Sequence, residues 1–500
     1  MWVFHFIAYF GPANHQNSCM KHRRILLFAG FLLPLTLLFF SFDKKLPATS
    51  GTSQKDTMPQ FARAKDHLGK NVANSNGLVS LSTGIDNSYY LKDSQNRVGY
   101  LYLETKISRY VSNLARKNPL NISIVLDRSG SMAGEKMDFA KKAANDIIDK
   151  LGPEDFVSVV IYDEFIEVIQ PATPVLYKDS IKVKINKVKP RGSTNLWGGS
   201  ERGYEQVKAN YKKNYINRVL LISDGNITAG PKIPSRIIEQ VQSFKDVNGI
   251  SISTFGVGLD YNETLMTDMA ENGAGNYYFI DRADKMAAIF DKELYGLLNV
   301  VAQNAELRIA LPKGVTVEKV YPFQYAMEKN EVVIKFQDLF SEDIKGLMVR
   351  FRIDDAYNTT LPFFTRLVYT DNTTGEPKTI LNENSLAPII NREQYLASFN
   401  KTVAEQVVLF TANENLEKAM YEVDRGNYEA ARRYADANGY IFSYNSQYVV
   451  GSGELQKMDS ITRFYATDIA NMKTLHKDSV KKVQKDRRVQ NYQIRNKKGQ

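Results

Sequence analysis

The feature that most constrains the fold is the alternation of short apolar segments with longer amphipathic segments between residues 121 and 300. Short apolar runs bounded by turns predict buried strands, and apolar residues spaced three or four apart predict helices. The predicted strands are Ile122–Leu126, Phe156–Tyr162, Val219–Ser223, Ser251–Val257 and Tyr277–Ile280. The predicted helices are Lys136–Leu151, Gly199–Lys213, Pro234–Val247, Asn262–Glu271 and Lys285–Leu298.

This alternation predicts an α/β domain over residues 119–300, built on a doubly wound, mostly parallel sheet with helices on both faces. Nearly all residues of the predicted strands are apolar, as expected for strands that are buried on both faces. Phe165–Ile169 follows Tyr162 too closely for a crossover helix, so it is predicted to be an antiparallel edge strand.

The segments on either side of this domain have strand patterns. Residues 78–118 contain the alternating stretch from Gly99 to Ile107, and residues 301–385 contain further apolar runs separated by turns. We predict that they form one β-sandwich into which the α/β domain is inserted; two separate β units are the alternative. The predicted strands of the second part are Ala305–Leu311, Val315–Val320, Glu331–Phe336, Gly346–Ile353 and Leu361–Tyr369.

Residues 390–472 have a helical pattern, with apolar residues at spacings of three and four such as Val403, Val407 and Phe410. A helix is predicted from Tyr428 to Tyr444, after a break at Arg425-Gly426-Asn427. Residues 473–500 hold ten Lys and Arg against two Asp. We interpret this last segment as a basic tail that is either a solvated helix or disordered.

The N-terminal region has the pattern of an export segment. Basic residues at 21–24 precede the apolar run Ile25–Phe42, which is typical of a signal peptide or an N-terminal membrane anchor over residues 1–42. The sequence does not decide between cleavage and retention, nor whether Met1 or Met20 is the start. Residues 43–77 are polar and are predicted to be a flexible linker.

Composition excludes several classes of function. The chain carries a net charge of +10, most of it in the C-terminal tail, so a broad nucleic-acid-binding surface is not expected. Its one cysteine is Cys19, and no histidine lies between Leu68 and Leu475. Nucleophilic catalysis by a Ser-His-Asp or Cys-His arrangement and a histidine-based zinc site are therefore excluded from the central part of the chain.

Polar residues follow the first predicted strand of the α/β domain at alternate positions. Asp127, Ser129 and Ser131 stand just after Ile122–Leu126, and Gly130 permits a tight turn between them. Ligands bind at the carboxyl ends of parallel strands in folds of this kind. One carboxylate and two hydroxyls are suitable ligands for a hard cation such as Mg²⁺, although an ordinary strand-to-helix turn is the simpler alternative.

Two further segments favour the metal site. Thr194 lies in the loop Arg191-Gly-Ser-Thr-Asn, and Asp224 ends the predicted strand Val219–Ser223. At the same edge of a parallel sheet, Thr194 and Asp224 would approach Asp127, which brings together two carboxylates and three hydroxyls. Two carboxylates neutralise the charge of Mg²⁺ without exceeding it, and the neutral hydroxyls would leave the ion with affinity for an acidic side chain of a protein partner.

These motifs resemble the metal-ion-dependent adhesion site of von Willebrand factor type A domains. The segments D-R-S-G-S-M, G-S-T-N and S-D-G occur in the order found in that family. The resemblance implies a doubly wound sheet with a metal bound by Asp127, Ser129, Ser131, Thr194 and Asp224. The wider layout resembles exported bacterial proteins of this class, inter-α-trypsin inhibitor heavy chains and proteins named after calcium-activated chloride channels.

The sequence therefore predicts an exported, membrane-tethered module that is not an enzyme. It would bind Mg²⁺, with Mn²⁺ as an alternative, and a partner's Asp or Glu side chain would complete the coordination. If it is not cleaved, the apolar segment Ile25–Phe42 would contact the membrane, and no nucleic acid partner is expected. Two other functions stay open: a structural assembly protein without a working metal site, and a metal-dependent enzyme or chelatase-like subunit.

Overall fold

The structure is a computed structural model that describes residues 71–94, 97–110, 118–259, 261–280, 283–354, 358–472 and 474–497. The predicted export segment Ile25–Phe42 and residues 43–70 of the predicted linker lie outside these ranges. Within the described ranges, no helix combines the length and the apolar character that crossing a bilayer requires.

Four strands precede the central domain: β1 Val72–Asn76, β2 Val79–Ile85, β3 Tyr89–Leu91 and β4 Val98–Ile107. The prediction of a flexible linker up to residue 77 is wrong for β1, which pairs antiparallel with β2. The β1 sequence VANSN has no apolar alternation, so its hydrophobic pattern could not reveal a strand. The Asn74 side chain anchors it by donating a hydrogen bond to the Leu381 carbonyl at 2.8 Å.

The central domain confirms the predicted α/β architecture. Its strands are β5 Leu120–Asp127, β6 Phe156–Tyr162, β7 Ile166–Pro174, β8 Ile216–Ser223, β9 Ser251–Val257 and β10 Tyr277–Ile280. Its helices are α1 Glu135–Lys150, α2 Lys178–Asn186, α3 Leu196–Ala209, α4 Pro234–Asn248, α5 Glu263–Asn272 and α6 Ala283–Leu298. The strand order is β10-β9-β8-β5-β6-β7, and every pairing is parallel except that of β7, the predicted antiparallel edge strand.

Helices cover this sheet on both faces, which explains why its strands are apolar. Every residue of β5, β8 and β9 is buried. One apolar cluster joins the sheet to α1 and α6, and a second joins its other face to α3, α4 and α5. The helix α2 was not predicted because it is rich in lysine and buries only Ile181 and Ile185.

The remaining strands are β11 Val300–Ala310, β12 Val315–Tyr321, β13 Ala326–Glu328, β14 Glu331–Phe340, β15 Ile344–Ile353, β16 Leu361–Asp371 and β17 Pro377–Ile389. They combine with β1–β4 in two sheets, ordered β1-β2-β4-β15-β12 and β13-β14-β11-β16-β17-β3. One apolar core that includes Leu101, Phe351 and Phe363 lies between the sheets. This arrangement confirms the predicted flanking β-sandwich.

The central domain is inserted between strands of the sandwich. β4 precedes it and β15 follows it, yet the two strands pair antiparallel, with Leu103 opposite Leu347. The chain leaves the first sheet at the end of β4 and enters the second sheet at β11. Segments from both sides of the domain therefore share one hydrophobic core.

The C-terminal part is helical, as predicted. It consists of α7 Arg392–Ala397, α8 Lys401–Asp424, α9 Tyr428–Tyr444, α10 Ser446–Val449, α11 Gly453–Met472 and α12 Lys477–Arg495. α8, α9 and α11 pack around Leu416, Ala435 and Tyr465. α8 also contacts the sandwich, where the rings of Phe410 and Tyr102 lie 6.4 Å apart.

The basic tail forms the helix α12, which agrees with the helical alternative, but this helix is not freely solvated. Tyr492 is buried, and its hydroxyl accepts a hydrogen bond from the Tyr277 backbone at 3.0 Å. Arg487 pairs with Asp468 of α11, and Arg495 pairs with Glu417 of α8 at 2.9 Å. The basic residues of this segment therefore neutralise acidic residues of neighbouring helices.

Candidate metal centre

Asp127 ends the central strand β5 and is fully buried. Its Oδ1 accepts a hydrogen bond from the Ser129 backbone at 2.8 Å. Its Oδ2 accepts hydrogen bonds from the hydroxyls of Ser223 at 2.6 Å and Tyr162 at 3.3 Å. Burial raises the pKa of Asp127 to about 6, although the hydrogen bonds from Ser223 and Ser129 act in the opposite direction. Neutral donors thus orient this carboxyl group without supplying a positive charge.

The two serines that follow Asp127 come together in a tight turn. The Oγ atoms of Ser129 and Ser131 lie 3.1 Å apart. Ser129 is buried, whereas Ser131 is exposed at the surface. The Gly130 backbone donates a hydrogen bond to the Gly192 carbonyl at 3.1 Å, which fastens this turn to the loop that carries Thr194.

The loop of Thr194 is held by its own network. The Thr194 backbone N–H donates to the Thr228 hydroxyl at 2.8 Å, and its carbonyl accepts from the Thr228 backbone at 3.1 Å. Gly192 has a φ of 69°, and a Cβ there would collide with the carboxylate of Glu164. That carboxylate accepts a hydrogen bond from the Ser193 backbone at 2.6 Å. The glycine is therefore required for the loop to reach this position.

Asp224 follows β8, the neighbour of β5 in the sheet, and is fully buried. Its Oδ2 lies 3.2 Å from the Nζ of Lys136, a residue of the first turn of α1. Its Oδ1 is buried and has no hydrogen-bond partner. The negative charge of Asp224 adds to the burial that raises the pKa of Asp127.

The residues predicted from the sequence therefore lie at one edge of the sheet. Asp127, Ser129 and Ser131 occupy one turn, Gly130 links it to the Thr194 loop, and Asp224 ends the adjacent strand. Across the described residues, no three His, Cys, Asp or Glu side chains cluster as a metal site. The donor set at this edge instead combines two carboxylates with hydroxyls, and the unpartnered oxygen of Asp224 fits a hard cation.

Several residues that support this edge were not among those predicted from the sequence. Ser223 and Tyr162 bind Asp127, and Lys136 pairs with Asp224. The position of Ser223 directly before Asp224 was available in the sequence, but its partner was not. Lys136 resembles an ordinary surface lysine, because nothing in the sequence shows what its side chain contacts.

A second carboxyl group, that of Asp163, braces the surrounding loops. Arg128 and Arg191 place their Nε atoms 2.9 Å and 2.7 Å from its Oδ2. Burial tends to raise the pKa of Asp163, but the hydrogen bond from Arg191 and the charge of Arg128 hold it below its usual value. This brace connects the turn after β5 to the start of the Thr194 loop.

Comparison with known proteins decides the family. Residues 121–292 match the family model described as the von Willebrand factor type A domain. This part of the chain is a von Willebrand factor type A domain. The match covers strands β5–β10 and the helices and loops between them. It therefore contains all the predicted site residues. Type A domains commonly bind a divalent metal ion at the corresponding site.

Relatives of known sequence match this chain over part of their length. The protein YfbK of Escherichia coli (strain K12) is 31% identical over 199 residues, which are 39% of this chain and 34% of YfbK. The human inter-alpha-trypsin inhibitor heavy chain H3 is 24% identical over 256 residues, which are 46% of this chain and 27% of H3. The chain thus spans about a third or less of the length of these relatives, and the similarity to the heavy chains is confirmed.

Solved structures share the fold beyond the type A domain. A von Willebrand factor type A protein from Catenulispora acidiphila aligns with a TM-score of 0.61 and 14% identity, covering 79% of this chain and 92% of that chain. The ArnB paralog VWA2 from Sulfolobus acidocaldarius aligns with a TM-score of 0.55 and 16% identity, covering 82% and 98%. These identities are low, so the likeness concerns the fold alone.

Proposed function

We propose that the protein is an exported, membrane-tethered module that binds a protein partner through Mg²⁺ held by Asp127, Ser129, Ser131, Thr194 and Asp224. The observation that carries the proposal is the Oδ1 atom of Asp224, which is buried without a hydrogen-bond partner beside a second buried carboxyl group. A buried carboxylate oxygen without a partner is costly, and a cation bound to Oδ1 would remove that cost.

The charges at this edge support a divalent ion. Asp127 and Asp224 carry up to two negative charges, and Lys136 supplies one positive charge within ion-pair distance of Asp224. The hydroxyls of Ser129 and Ser131 add neutral oxygen donors that do not compete for charge. Carboxylate and hydroxyl oxygens match the preference of Mg²⁺, and Mn²⁺ accepts the same donors.

The bound ion would supply a positively charged coordination position for an anionic oxygen from outside the chain. We infer that an Asp or Glu side chain of a protein partner takes this position. Phe165 supports a protein surface as the partner, because it is 65% exposed and directly follows Glu164, which caps the Thr194 loop. An exposed aromatic ring beside a charged site is typical of a protein interface.

A binding role is proposed in place of catalysis. The type A domain contains no histidine or cysteine, so it lacks the side chain that most often acts as general base near neutral pH and has no thiol nucleophile. The Tyr162 and Ser223 hydroxyls orient Asp127 inside the domain and face a carboxyl group rather than a substrate. Type A domains mediate protein–protein interactions, which agrees with this proposal.

Metal binding to the folded protein is tested by thermal unfolding of the full chain in EDTA and in excess Mg²⁺. We expect Mg²⁺ to raise the unfolding midpoint of the wild type, because a ligand that binds only the native state stabilises it. The rise should disappear in Asp127→Ala. Asp138→Ala removes an exposed carboxylate from α1 and is the matched control, in which the rise should persist.

The unfolding midpoints distinguish a metal-dependent binding module from a structural assembly protein. A shift in the wild type and in Asp138→Ala that is absent in Asp127→Ala supports the metal-dependent module. Equal midpoints with EDTA and with Mg²⁺ in all three proteins would contradict the proposal and favour a structural assembly role. Export and tethering rest on the basic and apolar pattern of residues 21–42.

A further inference from the structure

Lys136 places a positive charge next to one of the candidate metal ligands. It lies in the first turn of α1, yet its ammonium group reaches Asp224 at the end of β8, where Nζ and Oδ2 are 3.2 Å apart. The lysine side chain is 24% exposed, whereas Asp224 is fully buried. The lysine therefore brings a positive charge from the solvent edge to a predicted metal ligand.

The path of this side chain depends on Gly258, which follows β9. A Cβ atom at Gly258 would lie 2.5 Å from the Cε of Lys136, which is closer than two non-bonded carbon atoms can approach. Gly258 has a φ of 86° and therefore adopts a conformation that L side chains rarely adopt. The loop after β9 thus leaves a channel along which the lysine runs to Asp224.

We propose that Lys136 is a built-in counter-cation that sets the metal affinity of this site by competing with the divalent ion for Asp224. The inference rests on the proposed function and adds a residue that regulates it. One lysine neutralises one of the two carboxyl groups, so the metal-free site is not left with its full negative charge. The same ammonium group repels a divalent ion that binds nearby.

If Lys136 competes with the divalent ion for Asp224, replacing it with a neutral residue has two opposite effects. Without metal, the variant leaves the carboxylate of Asp224 buried without its ion-pair partner, which destabilises the fold. With metal, the repulsion is gone and the divalent ion binds more tightly. A lysine with only a structural role would produce the first effect without the second.

The test is calorimetric titration of the full chain with MgCl₂, together with thermal unfolding in EDTA. We expect Lys136→Met to bind Mg²⁺ at least about tenfold more tightly than the wild type and to unfold at a lower temperature in EDTA. Lys136→Gln is a second neutral variant that keeps a polar end, in case Lys136→Met does not fold. Lys136→Arg retains the charge and should bind Mg²⁺ with nearly the affinity of the wild type.

Lys141→Met is the matched control. Lys141 lies on the same helix, and its Nζ donates to the Asn186 carbonyl at 3.2 Å, away from Asp224. The substitution makes the same change in net charge, so its Mg²⁺ affinity should equal that of the wild type.

The results distinguish this inference from the proposed function. Tighter binding in the neutral variants alone supports the inference. Mg²⁺ binding of equal or lower affinity in the neutral variants would overturn the inference and leave the proposed function standing. No Mg²⁺ binding by any of the proteins would overturn both.

Discussion

At the scale of single residues, two neighbouring buried carboxyl groups differ in the charge of the groups around them. Asp163 is flanked by Arg128 and Arg191, and its pKa lies below its usual value despite its burial. Asp127 receives only neutral hydrogen bonds, and burial raises its pKa to about 6. The first group is a closed structural brace. The carboxyl group of Asp127 is oriented by hydrogen bonds but not neutralised, as expected for a group that binds a cation.

A third buried carboxyl group, Asp86 of the sandwich, gives a prediction for pH dependence. Burial raises its pKa to about 7, although its Oδ1 accepts a hydrogen bond from the Tyr100 backbone at 2.8 Å. Below pH 4 the group is protonated in both the folded and the unfolded chain. Between pH 4 and pH 7 the unfolded chain releases the proton first, so stability falls as pH rises, by up to about 4 kcal/mol.

Asp86→Asn removes this titration and keeps an acceptor for the Tyr100 backbone. We expect the unfolding midpoint of the variant, relative to the wild type, to rise between pH 4 and pH 7 and to level off above pH 7. The measurement is differential scanning calorimetry of both proteins across that range. A constant difference between them would show that Asp86 is ionised in the fold.

The five candidate metal ligands could be predicted from the sequence because each lies within or just after a recognisable segment. Asp127 and Asp224 follow apolar strands, and parallel strands bring their carboxyl ends to one edge. Lys136 and Tyr162 could not be predicted, because their contacts depend on how α1 and β6 lie against the strand ends. Their role therefore required the packed structure.

At the scale of elements, a strand could be predicted where its buried positions hold apolar residues and was missed where they hold polar ones. β5, β8 and β9 are buried on both faces and contain long apolar runs, so their burial is readable from sequence. β17 was missed because its buried positions include Asn382 and Asn384 in place of apolar residues. Polar residues at buried positions hide the alternation that identifies a strand.

Asn382 is predicted to hold the two sheets of the sandwich together at this edge. Its Nδ2 donates to the carbonyls of Val72 at 3.0 Å and Leu81 at 2.9 Å. Asn382→Ala removes the donor to both carbonyls, and because the bond to Leu81 is buried it should cost about 1–3 kcal/mol. Hydrogen exchange of the β1 amides should accelerate in the variant.

Leu381→Ala is the control for this prediction, since Leu381 is the adjacent residue of β17 and is 63% exposed. We expect its β1 amides to exchange at the rate of the wild type. If Asn382→Ala exchanged no faster than this control, backbone pairing with β2 and the hydrogen bond from Asn74 to Leu381 would suffice to hold β1.

At the scale of the whole molecule, α12 connects parts of the chain that are distant in sequence. Lys485 donates to the Tyr261 carbonyl at 3.1 Å, and Tyr492 packs edge to face on Tyr277 with ring centroids 5.4 Å apart. The same helix pairs with α8 and α11 through Arg495 and Arg487. It therefore joins the type A domain to the helical region.

Tyr492→Ala should detach α12 from the type A domain. Removing a buried aromatic side chain costs about 3–5 kcal/mol, and this one also accepts the Tyr277 backbone hydrogen bond. Limited proteolysis of the full chain should then cut within residues 477–495 much faster than in the wild type. Tyr440→Ala, which removes a ring of α9 that is 72% exposed, should leave the rate unchanged. Equal rates in Tyr492→Ala and the wild type would show that the pairs with α8 and α11 suffice to hold the helix.

The insertion of the type A domain has a mechanical consequence. Its two covalent connections run to β4 and β11, which belong to different sheets of the sandwich. A partner bound at the edge that carries Asp127 and Asp224 would therefore load both sheets together, and the apolar core between them would resist the tension. The contacts of α12 with Tyr261 and Tyr277 would pass part of the same load to the helical region without a covalent bond.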